Sequence, residues 1–73
     1  MTQQTSTISL TVNGDPTELA AGATIADLLV QMAVVGRRIA VELNGEIVPK
    51  ADHANTALQA DDLVEVVQAI GGG

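Results

Sequence analysis

The sequence contains no cysteine, phenylalanine, tyrosine or tryptophan, and only three of its 73 residues are lysine or arginine. Without cysteine there is no disulfide, thiol nucleophile or cysteine metal ligand, and the composition suits a reducing cytosol. Without aromatic rings, any core must be aliphatic and the bases of single-stranded nucleic acid have no stacking platform. Nine acidic residues give a formal charge of −6, which repels phosphate backbones and attracts a basic protein surface. We therefore expect a cytoplasmic protein that binds no nucleic acid.

The length allows one small domain. No segment approaches the length of a membrane span, so no membrane association is expected. The polar first six residues lack the charge and the apolar run of a signal peptide. We expect residues 1–7 to form a disordered lead-in, 8–69 a folded domain and 70–73 a flexible glycine-rich tail.

The first part of the sequence predicts a β-hairpin followed by a helix. Residues 7–12 alternate polar and apolar side chains, and a shorter return strand is expected at 16–19. Between them lies Asn13-Gly14, a pair that accepts the positive φ angles of a tight turn. Thr24 is a candidate N-cap with an acidic residue at the third helical position, and Gly36 is expected to end the helix. The apolar face of this helix consists of Ile25, Leu28, Leu29 and Met32.

The second part predicts another hairpin and a final strand. Residues 39–43 alternate, Asn44-Gly45 repeats the turn signal, and 46–48 form the return strand. Residues 50–60 have only a weak pattern and are expected to form a polar connection. The segment 63–67 is apolar at four of its five positions, which is typical of a central strand that is largely covered.

This order of elements indicates an α+β fold of the β-grasp, or ubiquitin-like, type. A mixed five-stranded sheet would wrap around one main helix. By analogy with that fold, the first and last strands would pair in parallel at the centre. The predicted core consists of Ile8, Leu10, Val12, Ile25, Leu28, Leu29, Met32, Val41, Leu43, Ile47, Val64 and Val66.

The sequence ends in Ile70 and three glycines, directly after the last predicted strand. Glycine loses more backbone freedom on ordering than any other residue, so this is a poor structural element. A tail without side chains can, however, enter a narrow channel, and three glycines reach about 10 Å. We expect Ile70, Gly71 and Gly72 to thread a partner's active site and Gly73 to present its carboxylate, which is ionised at neutral pH. The alternative is an inert, frayed terminus.

Four segments resemble the ThiS-type sulfur carriers of thiamine biosynthesis. They are Val-Asn-Gly at 12–14, Thr-Ile-Ala-Asp-Leu-Leu at 24–29, and the longer segments 40–50 and 64–73. The two longer segments are the more specific, because ubiquitin and the molybdopterin carriers share the Gly-Gly end. The chain departs from the family at Asp61, where a glycine usually precedes the last strand. Aspartate is among the side chains that best tolerate such a turn.

The resemblance implies a carrier protein, not an enzyme, with no bound cofactor or metal. A ThiF-type, E1-like enzyme would use ATP to adenylate the carboxylate of Gly73. A sulfurtransferase would then use a sulfur donor to form a thiocarboxylate, and a ThiG-type thiazole synthase would accept the sulfur.

By strand alternation, Val67 and Ala69 lie on the opposite sheet face from Val64 and Val66. Because these two side chains are apolar, we expect partners to dock there, near acidic residues.

The other candidate residues have structural explanations. His53, the only histidine, has no nearby cysteine or serine in the sequence and is expected to lie on the surface or pack in a loop. Asp61-Asp62 and Glu65 lack the spacing of a calcium loop and predict a solvated turn. Arg37-Arg38 follows the negative end of the predicted helix.

Four functions remain open from the sequence. The first is a sulfur carrier for thiazole synthesis, which the segment 41–50 favours. The second is a molybdopterin-type sulfur carrier, although such chains usually contain aromatic residues. The third is a ubiquitin-like protein modifier that would form an isopeptide bond through Gly73. The fourth is a β-grasp interaction module with an inert tail.

Overall fold

One face of a five-stranded sheet packs against a short helix. The computed structural model describes residues 6–34 and 38–68. The strands lie in the order β2-β1-β5-β3-β4. The elements are β1 (Thr7–Val12), β2 (Asp15–Ala20), α1 (Ile25–Gln31), β3 (Ile39–Leu43), β4 (Glu46–Val48), the 3₁₀ helix η1 (Lys50–Asn55) and β5 (Leu63–Gln68). Among the described residues, no helix is both long enough and apolar enough to cross a membrane.

The sheet is mixed, as the sequence predicts. β1 and β5 pair in parallel, while β1–β2, β3–β4 and β3–β5 pair in antiparallel fashion. The parallel pair at the centre and the α+β class are therefore confirmed. β1 begins at Thr7, one residue before the predicted domain boundary, and β2 is one residue longer at each end than predicted.

Both hairpins turn at their Asn-Gly pairs. Asn13 and Gly14 have φ angles of 52° and 84°, and Asn44 and Gly45 have φ angles of 51° and 89°. Two consecutive residues with positive φ match the twist of the flanking strands. Asp61, with φ of 70°, also occupies the left-handed region, as its departure from the family's glycine implies.

Helix α1 begins with a capping box. The Thr24 hydroxyl accepts a hydrogen bond from the Asp27 backbone N–H at 3.2 Å, and the Asp27 carboxylate accepts one from the Thr24 N–H at 2.9 Å. Two backbone donors that the helix cannot satisfy internally are thereby bonded. The predicted start is confirmed.

The end of the helix differs from the prediction. α1 ends at Gln31, and the predicted terminator, Gly36, lies outside the described residues. The Ala33 N–H bonds the Val30 carbonyl at 3.0 Å and the Val34 N–H bonds the Leu29 carbonyl at 2.9 Å. These two bonds form a Schellman motif, in which the residue after the cap is left-handed. Here that residue is Ala33, with φ of 60°.

Replacing Ala33 with glycine is expected to stabilise the fold. A left-handed conformation costs a residue with a Cβ about 1–2 kcal/mol, whereas glycine adopts it freely. The greater freedom of glycine in the unfolded chain offsets part of that gain. We expect Ala33→Gly to raise the free energy of unfolding by about 0.5–1 kcal/mol in urea denaturation. Ala26→Gly, inside α1, is the control and should lower it by about 1 kcal/mol. A loss of stability in Ala33→Gly would contradict this account of the helix end.

The core lies between α1 and the inner face of the sheet. Ile8, Met32 and Leu43, which were predicted to belong to the core, are only partly buried and pack against it. Leu19 and Leu58 are buried without having been predicted. The buried hydrophobic side chains are Leu10, Val12, Leu19, Ile25, Leu28, Leu29, Val41, Leu58, Val64 and Val66.

Two sequence predictions about burial are wrong. Ile47 is 66% exposed because it pairs with Glu42, on the face of the sheet away from the helix. β5 is central but is covered on one face only, and its side chains Leu63 and Val67 remain 59% and 58% exposed. The first error assigned an outward-facing side chain to the core, and the second overestimated how much of β5 is covered.

The connection after β4 is more ordered than predicted. Residues 50–55 form η1, which packs against α1 and carries the buried His53. The Nε2 atom of His53 lies 3.0 Å from the Val48 carbonyl oxygen, so the expected loop-packing role is confirmed. After η1, the Leu58 N–H bonds the Ala23 carbonyl at 2.8 Å, and Leu58 enters the core.

Candidate functional site

The predicted modification site follows β5. Gln68 is the last residue that the structure describes, and the predicted site residues Ala69, Ile70, Gly71, Gly72 and Gly73 lie outside the described residues. The structure does show the strand from which they continue. Because β5 is the central strand, the predicted tail is connected to the middle of the sheet.

β5 is paired unequally on its two sides. Its partner β3 runs alongside it from Val64 to Gln68, in five residue pairs. Its other partner, β1, pairs only with Leu63 and Val64 before the chain turns away at Asn13. Strand pairing therefore reaches the end of β5 on one side only.

The asparagine of the first hairpin extends the pairing on the weaker side. The Asn13 Oδ1 atom accepts a hydrogen bond from the Val66 N–H at 2.8 Å, and its Nδ2 donates to the Val66 carbonyl at 3.3 Å. The carboxamide has both a donor and an acceptor, so it can replace the backbone of one strand residue.

The asparagine of the second hairpin contacts the other end of β5. The Asn44 Oδ1 atom accepts from the Leu63 N–H at 2.9 Å, and its Nδ2 donates to the Asp62 carboxylate at 3.0 Å. The sequence pattern predicts only a turn for each of these two asparagines. The sequence did contain a signal for these contacts. Glycine and aspartate form such turns as well, so the presence of asparagine at both turns indicates a further role for its side chain.

The face of the sheet away from α1, here called the outer face, is partly apolar. Leu63, Val67 and Ile47 are exposed on it, and Ala40 lies opposite Val67 in the register. The predicted outward orientation of Val67 is confirmed. Glu42 and Glu65 lie directly opposite each other on the same face. The outer face thus combines exposed aliphatic side chains with a pair of like charges.

The acidic turn before β5 has a structural role. The Asp62 carboxylate accepts hydrogen bonds from the Gln59 N–H at 2.8 Å and from the Asn44 side chain. Within residues 6–34 and 38–68, no group of three or more histidine, aspartate and glutamate side chains could hold a metal ion. Arg38 is exposed with φ of 64°, and Arg37 lies outside the described residues.

An apolar groove of about 270 Å³ lies on the helix side of the sheet, between α1 and η1. The sequence did not predict it, because it depends on the packing of η1. Its polar lining side chains are Lys50 and His53, and the imidazole of His53 is within hydrogen-bond distance of a backbone carbonyl. The remaining lining residues are Ala26, Leu29, Val30, Val34, Ile39 and Ala54.

The mixed sheet around one helix defines a small ubiquitin-like β-grasp protein. In this chain a glycine-rich sequence follows the central strand. Within that class, the model of the ThiS family matches residues 10–73, and the chain belongs to the ThiS family. The resemblance to ThiS-type carriers seen in the sequence is confirmed.

Solved structures and curated proteins agree with this assignment. The chain is similar to the thiamine biosynthesis protein ThiS of Geobacter metallireducens, with 33% identity and a TM-score of 0.76 over 90% of this chain and 100% of that one. It is 41% identical over 66 residues to the thiazole synthase of Paramagnetospirillum magneticum, covering 90% of this chain but 20% of the synthase. It is 34% identical over 68 residues to the uncharacterized protein ycf40 of Pyropia yezoensis, covering 93% and 96% of the two chains. The chain thus spans about a fifth of the thiazole synthase that it matches.

Proposed function

We propose that this chain is a sulfur carrier of thiamine biosynthesis and that Gly73 is its modified residue. The observation that carries the proposal is the ThiS-family match, which extends through the glycines that follow the central strand. The Gly73 carboxylate attacks the α-phosphorus of ATP and displaces pyrophosphate. Hydrosulfide released from a donor then attacks the carbonyl of the acyl-adenylate, AMP leaves, a proton is lost, and a thiocarboxylate remains. Glycine leaves that carbonyl sterically open.

The catalytic groups for these steps belong to partner proteins. In the described part of the chain, the imidazole of His53 lies against a backbone carbonyl and the Asp62 carboxylate is hydrogen-bonded within its turn. Together with the ThiS-family match, this supports a role for the chain as a co-substrate of other enzymes. A ThiF-type, E1-like enzyme binds ATP and adenylates the carrier, and a sulfurtransferase delivers the sulfur.

A ThiG-type thiazole synthase is the proposed acceptor of the sulfur. Two thiazole synthases, from Paramagnetospirillum magneticum and Magnetococcus marinus, align with 90% and 85% of this chain over about a fifth of their own lengths. Those synthases therefore contain a segment similar to this domain. A carrier and an acceptor in one polypeptide meet at a high effective concentration. The presence of both in one polypeptide supports the proposal that similar domains also work together when they lie on separate chains.

Partners dock on the outer face, close to the end of β5 from which the predicted tail continues. Like charges directly opposite each other on neighbouring strands, as in Glu42 and Glu65, destabilise a sheet. A basic partner surface relieves that repulsion, and the formal charge of −6 steers such a partner to the carrier. The exposed Val67 supplies the apolar contact, with Ala69 proposed to extend it.

Val67→Asp is expected to weaken the complex with the ThiF-type enzyme about tenfold or more, because it removes an apolar contact and places a charged carboxylate where the interface would exclude water. The matched control is Val30→Asp, the same change at a valine that is 68% exposed on α1. The control should leave the dissociation constant unchanged. Calorimetric titration measures both variants, and circular dichroism checks their folds. Equal affinities of folded Val67→Asp and the unaltered chain would contradict docking through this face.

The proposed activation step can be tested by ATP–pyrophosphate exchange with a ThiF-type enzyme. The ATP–pyrophosphate exchange should require the carrier. Addition of a sulfur donor and a sulfurtransferase should then give a modified carrier that supports thiazole formation by a ThiG-type synthase. A product that supports molybdopterin formation, and not thiazole formation, would identify a molybdopterin-type carrier. Adducts on lysine side chains would identify a protein modifier.

A further inference from the structure

The last part of β5 depends on a side chain for its hydrogen bonds on one side. After Val12 and Val64, strand β1 provides no further residue pair, yet Val66 is only 9% exposed. Both backbone polar groups of Val66 bond the carboxamide of Asn13. Without that carboxamide, a partly buried N–H and C=O would lose these partners, which is unfavourable in a folded protein.

We infer that Asn13 is a positioning residue for the C-terminal tail, an inference that rests on the function proposed above. Gln68 is only two residues beyond Val66, and the tail continues from it. If the strand opens at Val66, residues 66–68 no longer fix the start of the tail, and each released residue adds about 3.3 Å of reach. The carboxylate then samples a larger volume, and its effective concentration in a partner's active site falls. Asn13 keeps the origin of the tail fixed.

The two hairpins supply a matched pair of variants. Asn13→Gly and Asn44→Gly each keep a residue that accepts positive φ, and each removes two side-chain hydrogen bonds. The two changes differ in place. Asn13 holds the end of β5 that leads to the tail, whereas Asn44 holds Leu63 at the other end.

Amide hydrogen exchange of the free protein measures the local effect. We expect Asn13→Gly to accelerate exchange at Val66 about tenfold or more, with a smaller change at Leu63, and Asn44→Gly to show the reverse. Asn13→Asp retains an acceptor for the Val66 N–H but turns a second oxygen toward the Val66 carbonyl, so it should restore only part of the protection. Unchanged exchange at Val66 in Asn13→Gly would overturn the inference, whatever the activity of the carrier.

Adenylation kinetics separate positioning from general stability. Asn13→Gly should raise the KM for the carrier about threefold or more with little change in kcat, because the tail must be ordered again on binding. Asn44→Gly should leave KM unchanged. Equal increases in KM for the two variants would overturn the positioning role. If the unaltered chain is not adenylated at all, the proposed function fails, and the exchange experiment still decides whether Asn13 holds the strand.

Discussion

Removing Gly73 is expected to abolish adenylation while leaving the thermal stability of the protein unchanged. The deletion moves the terminal carboxylate back by about 3.5 Å, too far for in-line attack on ATP held in a rigid partner site. Extension of the chain beyond Gly73 pushes the carboxylate away from the same point and should be equally inactive. Gly72→Val should also be inactive, because its side chain blocks the channel that the glycines thread.

Carrier-dependent ATP–pyrophosphate exchange measures this effect, and thermal denaturation checks the fold. Deletion of Thr2, in the predicted lead-in, is the control for shortening the chain by one residue and should change neither result. Adenylation of the chain without Gly73 at the normal rate would show that the position of the terminus is irrelevant. The proposed activation step would then be wrong.

Leu28→Ala is expected to cause a large loss of stability. Leu28 is fully buried between the helix and the sheet. Truncation of a buried leucine to alanine costs about 2–5 kcal/mol, through lost burial and the cavity left behind. For a domain of this size, the midpoint of thermal unfolding should fall by about 10 °C or more.

Val30→Ala is the control for this prediction on the same helix. Val30 is 68% exposed, so its truncation should change the free energy of unfolding by no more than about 0.5 kcal/mol. Urea denaturation of the two variants gives the comparison. Similar losses of stability in both would show that α1 does not pack as described.

Features that depend on neighbouring residues could be predicted from the sequence. The Asn-Gly turns, the capping box at Thr24 and the left-handed Asp61 all follow from local backbone and side-chain chemistry. The helix end was missed because glycine is the usual left-handed terminator, whereas here Ala33 adopts that conformation inside a Schellman motif. The preference for glycine at the left-handed position is overridden here by the two hydrogen bonds of the Schellman motif.

Features that depend on tertiary contacts could not be predicted. Leu58 is buried, and its backbone N–H bonds the carbonyl of Ala23, a residue remote in sequence. Nothing in the periodicity of its segment indicates this position. Ile47 was assigned to the core because a three-residue strand gives too little alternation to identify its outer face. At the candidate site, alternation was sufficient to predict the exposure of Val67. The contact of Asn13 with Val66 required the register of β1 against β5.

The mass of the intact chain, purified from its own cells, tests the central claim most directly. The account predicts a population heavier than the unmodified chain by the difference between a sulfur and an oxygen atom. Fragmentation should place that difference at Gly73, and the population should disappear when the ThiF-type enzyme is deleted. A chain found only unmodified, or joined through Gly73 to lysine side chains of other proteins, would contradict the sulfur-carrier account.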